Sequence, residues 1–285
     1  MSAQQQIAAI EAAVMRVLAH DDRPESLEND GTNADGEAAD AVLFLLRRYR
    51  STGRDDLAEL LGRALAGALE HESAERTVFD RSAWLAVLVE AGDLSPDERF
   101  TSAIERAVVE LRPAWTSASL GEAAVSIGAC LLAIGWPGLD AVAAPAIDRL
   151  EQIVAAIYRP GDVSGAPADQ VRTASTLLIA YGVSGRLPYS MLAEELMQNV
   201  QRTGGAELAS PRGFDAACAR ARVLCGLAAL HEDPNYRAAA VIAPGVDHRA
   251  AARDLLAAQA SEALRRGAAA AIYGIALLEL ESPPI

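Results

Sequence analysis

Residues 40–57 read DAVLFLLRRYRSTGRDDL, and the architecture of the whole chain can be inferred outward from this segment. Its first part is apolar on nearly every face, Ser51-Thr52-Gly53 forms a turn, and its end opens an amphipathic helix. Gly53 suits the left-handed conformation that ends many helices, because glycine has no Cβ to clash there. The segment therefore predicts a helical hairpin of one buried helix and one helix with a single apolar stripe.

The same two-helix unit recurs along the chain. Apolar segments begin near residues 37, 80, 121, 169, 215 and 266, at spacings of 41 to 51 residues. A period in the forties is typical of repeated helix pairs. An amphipathic segment follows each of the first five, although the fifth partner is ambiguous between 235–242, 247–258 or both. The abundance of Ala, Leu, Glu and Arg also favours helix, so the sequence predicts an all-α protein.

The two ends of the sequence favour a closed arrangement of these hairpins. The last segment, about 266–280, is apolar nearly all round, whereas the first, about 3–19, is an amphipathic helix without a partner. An open solenoid needs polar caps, and an uncovered final helix would leave a large apolar patch in water. We expect one domain, residues 1–285, folded as an (α/α)6 toroid of six helical hairpins whose N-terminal helix closes the ring. The alternative is an open α-helical repeat solenoid.

Residues 40–57 resemble a repeat of the six-hairpin (α/α)6 toroid superfamily, with a small-and-apolar helix, a Thr-Gly-Asp type of turn and an amphipathic helix. That superfamily includes glycosidases, sugar epimerases and the helical portion of thioredoxin-associated proteins. The hairpin pattern covers nearly the whole chain and identifies an architecture without an activity. In toroid enzymes of this kind the site lies in the funnel where the inner helices begin, so the resemblance implies a site there.

Charge and composition narrow the classes of function. The chain has 25 Lys and Arg against 39 Asp and Glu, a net charge of −14, and no basic run. Such a surface repels phosphate backbones, so we expect no nucleic-acid partner. The first 20 residues lack the pattern of a signal peptide, and no apolar stretch is long enough to span a membrane. We therefore expect a cytoplasmic protein that does not associate with membranes.

Cysteines and histidines show no metal-binding pattern. Cys130, Cys218 and Cys225 lie in apolar helical segments, where cysteine usually packs as a small hydrophobe. The four histidines are scattered at 20, 71, 231 and 248 and have no zinc-type spacing with cysteine. Phosphate loops, dinucleotide fingerprints and nucleophile elbows are also absent from the sequence. We therefore expect no metal and no cofactor.

The candidate site lies where the inner helices begin. The links that enter these helices are long, as at 20–36, 159–168 and 202–213, and long loops in compact domains are often functional. The site would suit general acid and base catalysis by paired carboxylates, as in glycoside hydrolysis. Helix capping explains the same acids without catalysis. The acidic residues that gather there are Asp35, Glu37, Asp40, Asp80, Glu122, Asp169 and Asp215.

Three further side chains are candidate ligand-binding residues. Arg172 and Arg222 lie on otherwise apolar inner helices, where a charge must reach the lumen or find a partner. They could bind an anion, or pair with a carboxylate inside the ring, for example Arg172 with an aspartate of a neighbouring hairpin. Trp84 could stack on a sugar or pack in the core.

Two functions follow from these patterns. The sequence favours a non-enzymatic binding or scaffold protein that holds a small polar ligand or a protein partner at the funnel. The alternative is a carbohydrate-related toroid enzyme, similar to a glycosidase or an epimerase, that uses paired carboxylates. Only 5% of the residues are aromatic, which counts against a funnel built to stack on sugars.

Overall fold

The structure is a computed structural model and describes residues 1–19, 34–70, 76–95, 97–159, 162–204, 213–242 and 244–282. The protein is all-α, with a minimal antiparallel pair of two-residue strands, β1 (Tyr158–Arg159) and β2 (Asp162–Val163). Among the described residues, no helix combines the length and the apolar character needed to cross a membrane.

The α-helices follow the predicted alternation. Short 3-10 segments at 112–116, 140–142 and 267–270 supplement them. In chain order the described α-helices are α1 (Ala3–Ala19), α2 (Ala34–Thr52), α3 (Asp55–Glu70), α4 (Val78–Leu94), α5 (Glu98–Leu111), α6 (Leu120–Leu132), α7 (Ala143–Ile157), α8 (Pro167–Ser184), α9 (Leu187–Thr203), α10 (Phe214–Glu232), α11 (Pro234–Ala240), α12 (His248–Arg266) and α13 (Ala271–Glu281).

Two kinds of helix differ in their burial. In α2 every residue from Ala41 to Leu46 is buried, so no face of that segment meets solvent. In α5 the buried residues follow one stripe at helical spacing, from Phe100 through Ile104 and Val108 to Leu111. We call α2, α4, α6, α8, α10 and α13 the inner helices, and the others the outer helices.

The inner helices contact one another in sequence order. Each of α2, α4, α6, α8 and α10 contacts the next inner helix, and α13 in turn contacts α2. The contact between α13 and α2 is close, since a Cβ placed on Gly274 would lie 2.7 Å from the ring of Phe44. Between α8 and α6, the hydroxyl of Thr176 donates to the carbonyl of Ala124 at 2.7 Å. These contacts produce a continuous apolar core.

The first helix of the chain packs on the last. α1 contacts α13 and the 3-10 segment that precedes it, and buries Ile7, Ile10 and Val14. The hydroxyl of Tyr273 in α13 donates to the side-chain oxygen of Gln6 in α1 at 2.8 Å. The apolar final helix is therefore sheltered by the first.

Two helix boundaries differ from those expected. The ambiguous fifth partner consists of both a short helix, α11, and a long one, α12. Because α12 continues to Arg266, the last inner helix begins at Ala271 instead of near 266. Gly267 separates them at a φ of 61°, a conformation that residues with a Cβ rarely adopt. Gly53, at a φ of 64°, ends α2 in the predicted left-handed conformation.

All three cysteines are buried free thiols, as predicted. Burial raises the pKa of Cys130 and of Cys225 to about 12. A thiol that holds its proton so firmly is a poor nucleophile, so these residues act in packing.

Candidate functional site

Two of the predicted acids cap their helices. The carboxylate of Asp80 accepts from the backbone N–H and the hydroxyl of Thr77, at 3.1 and 2.5 Å, and Thr77 caps α4 in return. The carboxylate of Glu122 accepts from the hydroxyl of Ser117 at 2.7 Å, while its own N–H donates to the N-cap Ser119. The capping interpretation therefore accounts for Asp80 and Glu122.

Asp169 pairs with an arginine of its own helix. Arg172 donates to the Asp169 carboxylate at 3.0 Å, one turn along α8. The guanidinium also lies 4.7 Å from the centre of the Phe79 ring in α4. One sequence interpretation gave Arg172 a carboxylate partner, for example on a neighbouring hairpin. The partner is Asp169 of the same helix instead, because a spacing of three residues brings these two charges together.

Asp215 lies at the start of α10, 3.6 Å from Arg266. The guanidinium of Arg266 also lies 4.4 Å from the centre of the Phe214 ring. The Asp215 side chain is 69% exposed, yet burial by the surrounding protein raises its pKa, although Arg266 and Arg172 lower it. Asp215 is thus reached by water, while neighbouring groups lie close enough to perturb its pKa.

Glu37 and Asp40 lie one turn apart on α2, so they share a face of that helix. Within the described chain no hydrogen bond reaches either carboxyl group. Burial raises the pKa of Asp40 to about 7, Arg222 opposes this, and the charge of Asp215 adds to it. Burial, with Asp215 again contributing, also raises the pKa of Glu37 to about 7. Both groups can therefore exchange protons near neutral pH.

An ion-pair network joins four inner helices beside Asp40. Arg47 of α2 pairs with Glu90 of α4 at 2.6 Å and with Glu279 of α13. Arg222 of α10 lies 3.0 Å from the same Glu279 carboxylate. Burial would raise the pKa of Glu279, but Arg222 and Arg47 hold it below its usual value. Arg222 therefore has the carboxylate partner that one sequence interpretation expected.

The remaining candidates lie elsewhere. The side chain of Asp35 lies outside the described part of the chain, as do residues 20–33 and 205–212 of the predicted long links. Trp84 lines a cavity between α3, α4 and α5, where Arg106 also contributes and none of the candidate acids does. The guanidinium of Arg76 lies 5.1 Å from the centre of the Trp84 ring. Trp84 is thus separate from Asp40 and Asp215.

A second group of ionisable side chains lies between α9, α10 and α12. Glu194 is fully buried in α9, and its carboxylate oxygens lie 3.5 Å from Nε2 of His231 and 3.5 Å from Nε2 of His248. The two imidazole rings meet edge to face, with centres 4.6 Å apart. Within the described chain, this is the one group of three His, Cys, Asp or Glu residues whose potential ligand atoms all lie within 4.8 Å of one another.

The protein encloses this group almost completely. The His231 side chain is 15% exposed and that of His248 is 3% exposed. The backbone N–H of Ile242 donates to the Glu194 carboxylate at 3.2 Å, and the Tyr236 ring centre lies 5.9 Å from that of His231. Burial, together with His248, lowers the pKa of His231. A neutral imidazole with a free nitrogen is a metal ligand, so these residues could hold a metal ion.

Sequence reasoning missed this group because its members come from three helices. Glu194, His231 and His248 are 37 and 17 positions apart, and no helical period relates them. The spacing of cysteine and histidine residues along the sequence therefore gives no sign of this group. The available signal was that two of the four histidines flank the segment whose helices were ambiguous.

Two sets of polar groups in the described chain differ in their surroundings. We call Glu194, His231 and His248 the histidine cluster. We call the residues around Asp40 on the inner helices the inner polar set, which comprises Glu37, Asp40, Arg47, Glu90, Asp215, Arg222 and Glu279. Comparison of the chain with protein-family models, with curated proteins and with solved structures finds no match.

Proposed function

We propose that this chain is a six-hairpin (α/α)6 toroid that binds a small polar ligand in its lumen, where the inner helices begin. The order of contacts supports the closed ring, because each inner helix contacts the next and α13 returns to α2. In an elongated solenoid those two helices would lie at opposite ends. The packing of α1 on α13 also supports closure, since it covers an otherwise exposed apolar helix.

The ligand proposal rests on the convergence of charges from different inner helices. The pKa of Asp40 on α2 responds to Arg222 and Asp215 on α10 and to Asp80 on α4. Asp215 is both largely exposed and enclosed enough for burial to raise its pKa. Ionisable groups with perturbed pKa values that water can reach are typical of binding sites.

The chemistry of the inner polar set indicates the class of ligand. Glu37 and Asp40 donate hydrogen bonds when protonated, which their pKa values near 7 allow below neutral pH. Arg172 and Arg266 place guanidinium groups near Asp169 and Asp215, and the starts of the inner helices add partial positive charge. A small hydroxylated acid, such as a sugar acid, fits this chemistry. Its hydroxyl groups accept hydrogen bonds from the protonated carboxyl groups, and its carboxylate is attracted by the positive charge.

The alternative function is a carbohydrate-related toroid enzyme. The observation that favours it is the pair of carboxyl groups on α2, Glu37 and Asp40, which have pKa values near 7 and no hydrogen-bond partner in the described chain. A general acid needs such a carboxyl group. Asp80 and Glu122 are weaker candidates, because one carboxylate oxygen of each already accepts hydrogen bonds at the start of its helix.

Thermal shift with defined sugars and sugar acids tests the ligand proposal. The probes are glucose, N-acetylglucosamine, gluconate and glucuronate, each at about pH 6 and about pH 8, on either side of the titration of Asp40. We expect the sugar acids to raise the melting temperature by roughly 2–4 °C at the lower pH. The response should weaken at the higher pH, because ionised Glu37 and Asp40 repel an anion.

Variants identify the location of any response. Asp40→Ala and Arg222→Gln should abolish it, whereas Asp254→Ala, at an exposed position of α12, should retain it. A response unchanged in Asp40→Ala, or none with any probe, would contradict binding at this site. Hydrolysis of aryl glycosides that disappears in Asp40→Asn would favour the enzyme.

Solution scattering tests the ring independently of any ligand. A compact chain of 285 residues has a radius of gyration of about 19 Å. A clearly larger value at low concentration would indicate an elongated solenoid and contradict the toroid.

A further inference from the structure

The histidine cluster lies apart from the inner polar set. Glu194 and His248 belong to outer helices α9 and α12, and His231 lies in the last turn of α10, away from the start where Asp215 lies. The cluster is therefore independent of the ligand proposed for the lumen. It combines two imidazoles and one carboxylate, which is a ligand set that transition metals bind in proteins.

The distances in the cluster suit a metal ion better than direct hydrogen bonds. Each histidine Nε2 lies 3.5 Å from an oxygen of Glu194, beyond the usual range for a hydrogen bond. Two ligand atoms bound about 2.1 Å from a tetrahedral zinc ion lie about 3.4 Å apart. The spacing between each histidine and Glu194 thus corresponds to ligands around a shared ion.

The cluster also holds buried polar atoms that nothing in the described chain satisfies. Nε2 of His231 and both ring nitrogens of His248 are buried without a hydrogen-bond partner. Buried polar atoms are almost always paired, and unpaired ones indicate a missing water or ion. At 3.5 Å the two oxygens of Glu194 interact only weakly with the two imidazoles, whereas a cation between the three side chains engages one nitrogen of each histidine and an oxygen of Glu194.

From these observations we propose that Glu194, His231 and His248 bind a divalent transition-metal ion, and that the ion is zinc. Imidazole ligands disfavour calcium and magnesium, which prefer oxygen. Three protein ligands leave the fourth tetrahedral position for a water molecule, and the partial exposure of His231 provides a route for both the ion and the water. The ion would tie α9, α10 and α12 together, so metal binding would also stabilise the fold.

Metal titration of the full chain tests this site. Protein stripped with EDTA should bind about one equivalent of Zn²⁺ and gain at least about 5 °C in melting temperature. Mg²⁺ and Ca²⁺ should produce neither effect. Co²⁺ should bind more weakly than Zn²⁺ and display the visible absorption of a tetrahedral site with nitrogen and oxygen ligands. Failure of the stripped protein to bind Zn²⁺, or an octahedral Co²⁺ spectrum, would overturn the proposal.

Matched variants establish which residues bind the ion. Glu194→Gln keeps the shape of the side chain and should weaken Zn²⁺ by more than the roughly 10–100-fold typical of losing a second-shell partner. Its neighbour Glu195, which accepts from the hydroxyl of Tyr158 instead, supplies the control Glu195→Gln, which should bind as wild type. His231→Ala and His248→Ala should also lose the ion.

The other two histidines of the chain provide a further control. His20→Ala and His71→Ala remove the same type of ligand and should leave the affinity for Zn²⁺ unchanged. Zinc binding that survives in Glu194→Gln, or that disappears in the His20 and His71 variants, would place the ion elsewhere and refute the assignment. Circular dichroism of each stripped variant separates loss of the ligand from loss of the fold.

Discussion

The inner polar set and the histidine cluster both remove ionisable groups from bulk water, but they satisfy those groups differently. In the inner polar set Arg47 lies between Glu90 and Glu279, and Arg222 completes the network. In the histidine cluster three ring nitrogens lack any hydrogen-bond partner among the described residues. The network of Arg47, Arg222, Glu90 and Glu279 is balanced by its own charges. The buried nitrogens of the histidine cluster instead require a water molecule or an ion. Substitutions in each set can test this difference.

The largest effect should come from the histidine cluster. Glu194→Ala is expected to destabilise the protein by roughly 2–4 kcal/mol, because it creates a cavity and leaves the Ile242 N–H without its acceptor. Glu195→Ala, one residue along α9, should cost less than about 1 kcal/mol because its side chain is only partly buried. Urea unfolding of EDTA-treated protein measures both. Equal losses of stability in the two variants would show that Glu194 contributes no more to the fold than its partly buried neighbour.

A smaller effect is expected where α13 meets α2, beside the inner polar set. Gly274→Val should destabilise the fold by about 1–3 kcal/mol, because the added atoms overlap the buried ring of Phe44. Gly62→Ala, with open space around its Cβ in α3, should instead stabilise by about 0.5–1 kcal/mol. Thermal unfolding checks the two signs. A neutral Gly274→Val variant would contradict close contact between the last and the first inner helices.

The pH dependence of stability tests how well the inner polar set accommodates the charge of Asp40. Its pKa rises from 3.8 to about 7 on folding, so the folded state holds a proton that the unfolded state releases. The stability from this group is present below about pH 4 and is lost as the pH rises towards about 7. Asp40→Asn stays neutral, so it should match wild type in acid and exceed it above neutral pH.

The gain from Asp40→Asn should be about 1–2 kcal/mol at about pH 8. A pKa change of this size corresponds to at most about 4 kcal/mol, and water that reaches the partly exposed side chain reduces it. Urea unfolding of both proteins across the pH range measures the difference. Destabilisation by Asp40→Asn at the higher pH would show that the ionised carboxylate is favourably paired with Arg222.

The smallest effect concerns the contact between the first and last helices. Tyr273→Phe removes the hydrogen bond to Gln6 and should cost about 1 kcal/mol. A double-mutant cycle with Gln6→Ala should recover a coupling of about 0.5–1 kcal/mol. Zero coupling would indicate that this bond contributes nothing to the packing of α1 on α13. Zinc binding should be unaffected, since neither residue belongs to the histidine cluster.

The sequence predicted where the candidate acids lie along the helices, but not the role of each. Five of the six inner helices begin within three residues of the expected positions, so the predicted acids do lie near helix starts. Their roles depend on neighbours: Asp80 and Glu122 serve caps, Asp169 pairs with Arg172, and Asp40 is left without a hydrogen-bond partner in the described chain. Composition and spacing could not distinguish these environments, because each depends on side chains within a few ångströms in space.

The sequence by itself determined the all-α character, the alternation of inner and outer helices and the turn at Gly53. These are local properties, since the spacing of apolar residues and the freedom of glycine act within a few residues of the chain. Only the tertiary structure decided that α13 contacts α2, that Arg222 lies close enough to Asp40 to lower its pKa, and that Glu194, His231 and His248 come together. These contacts depend on how helices distant in sequence pack together, and the periodicity of the sequence does not determine that packing.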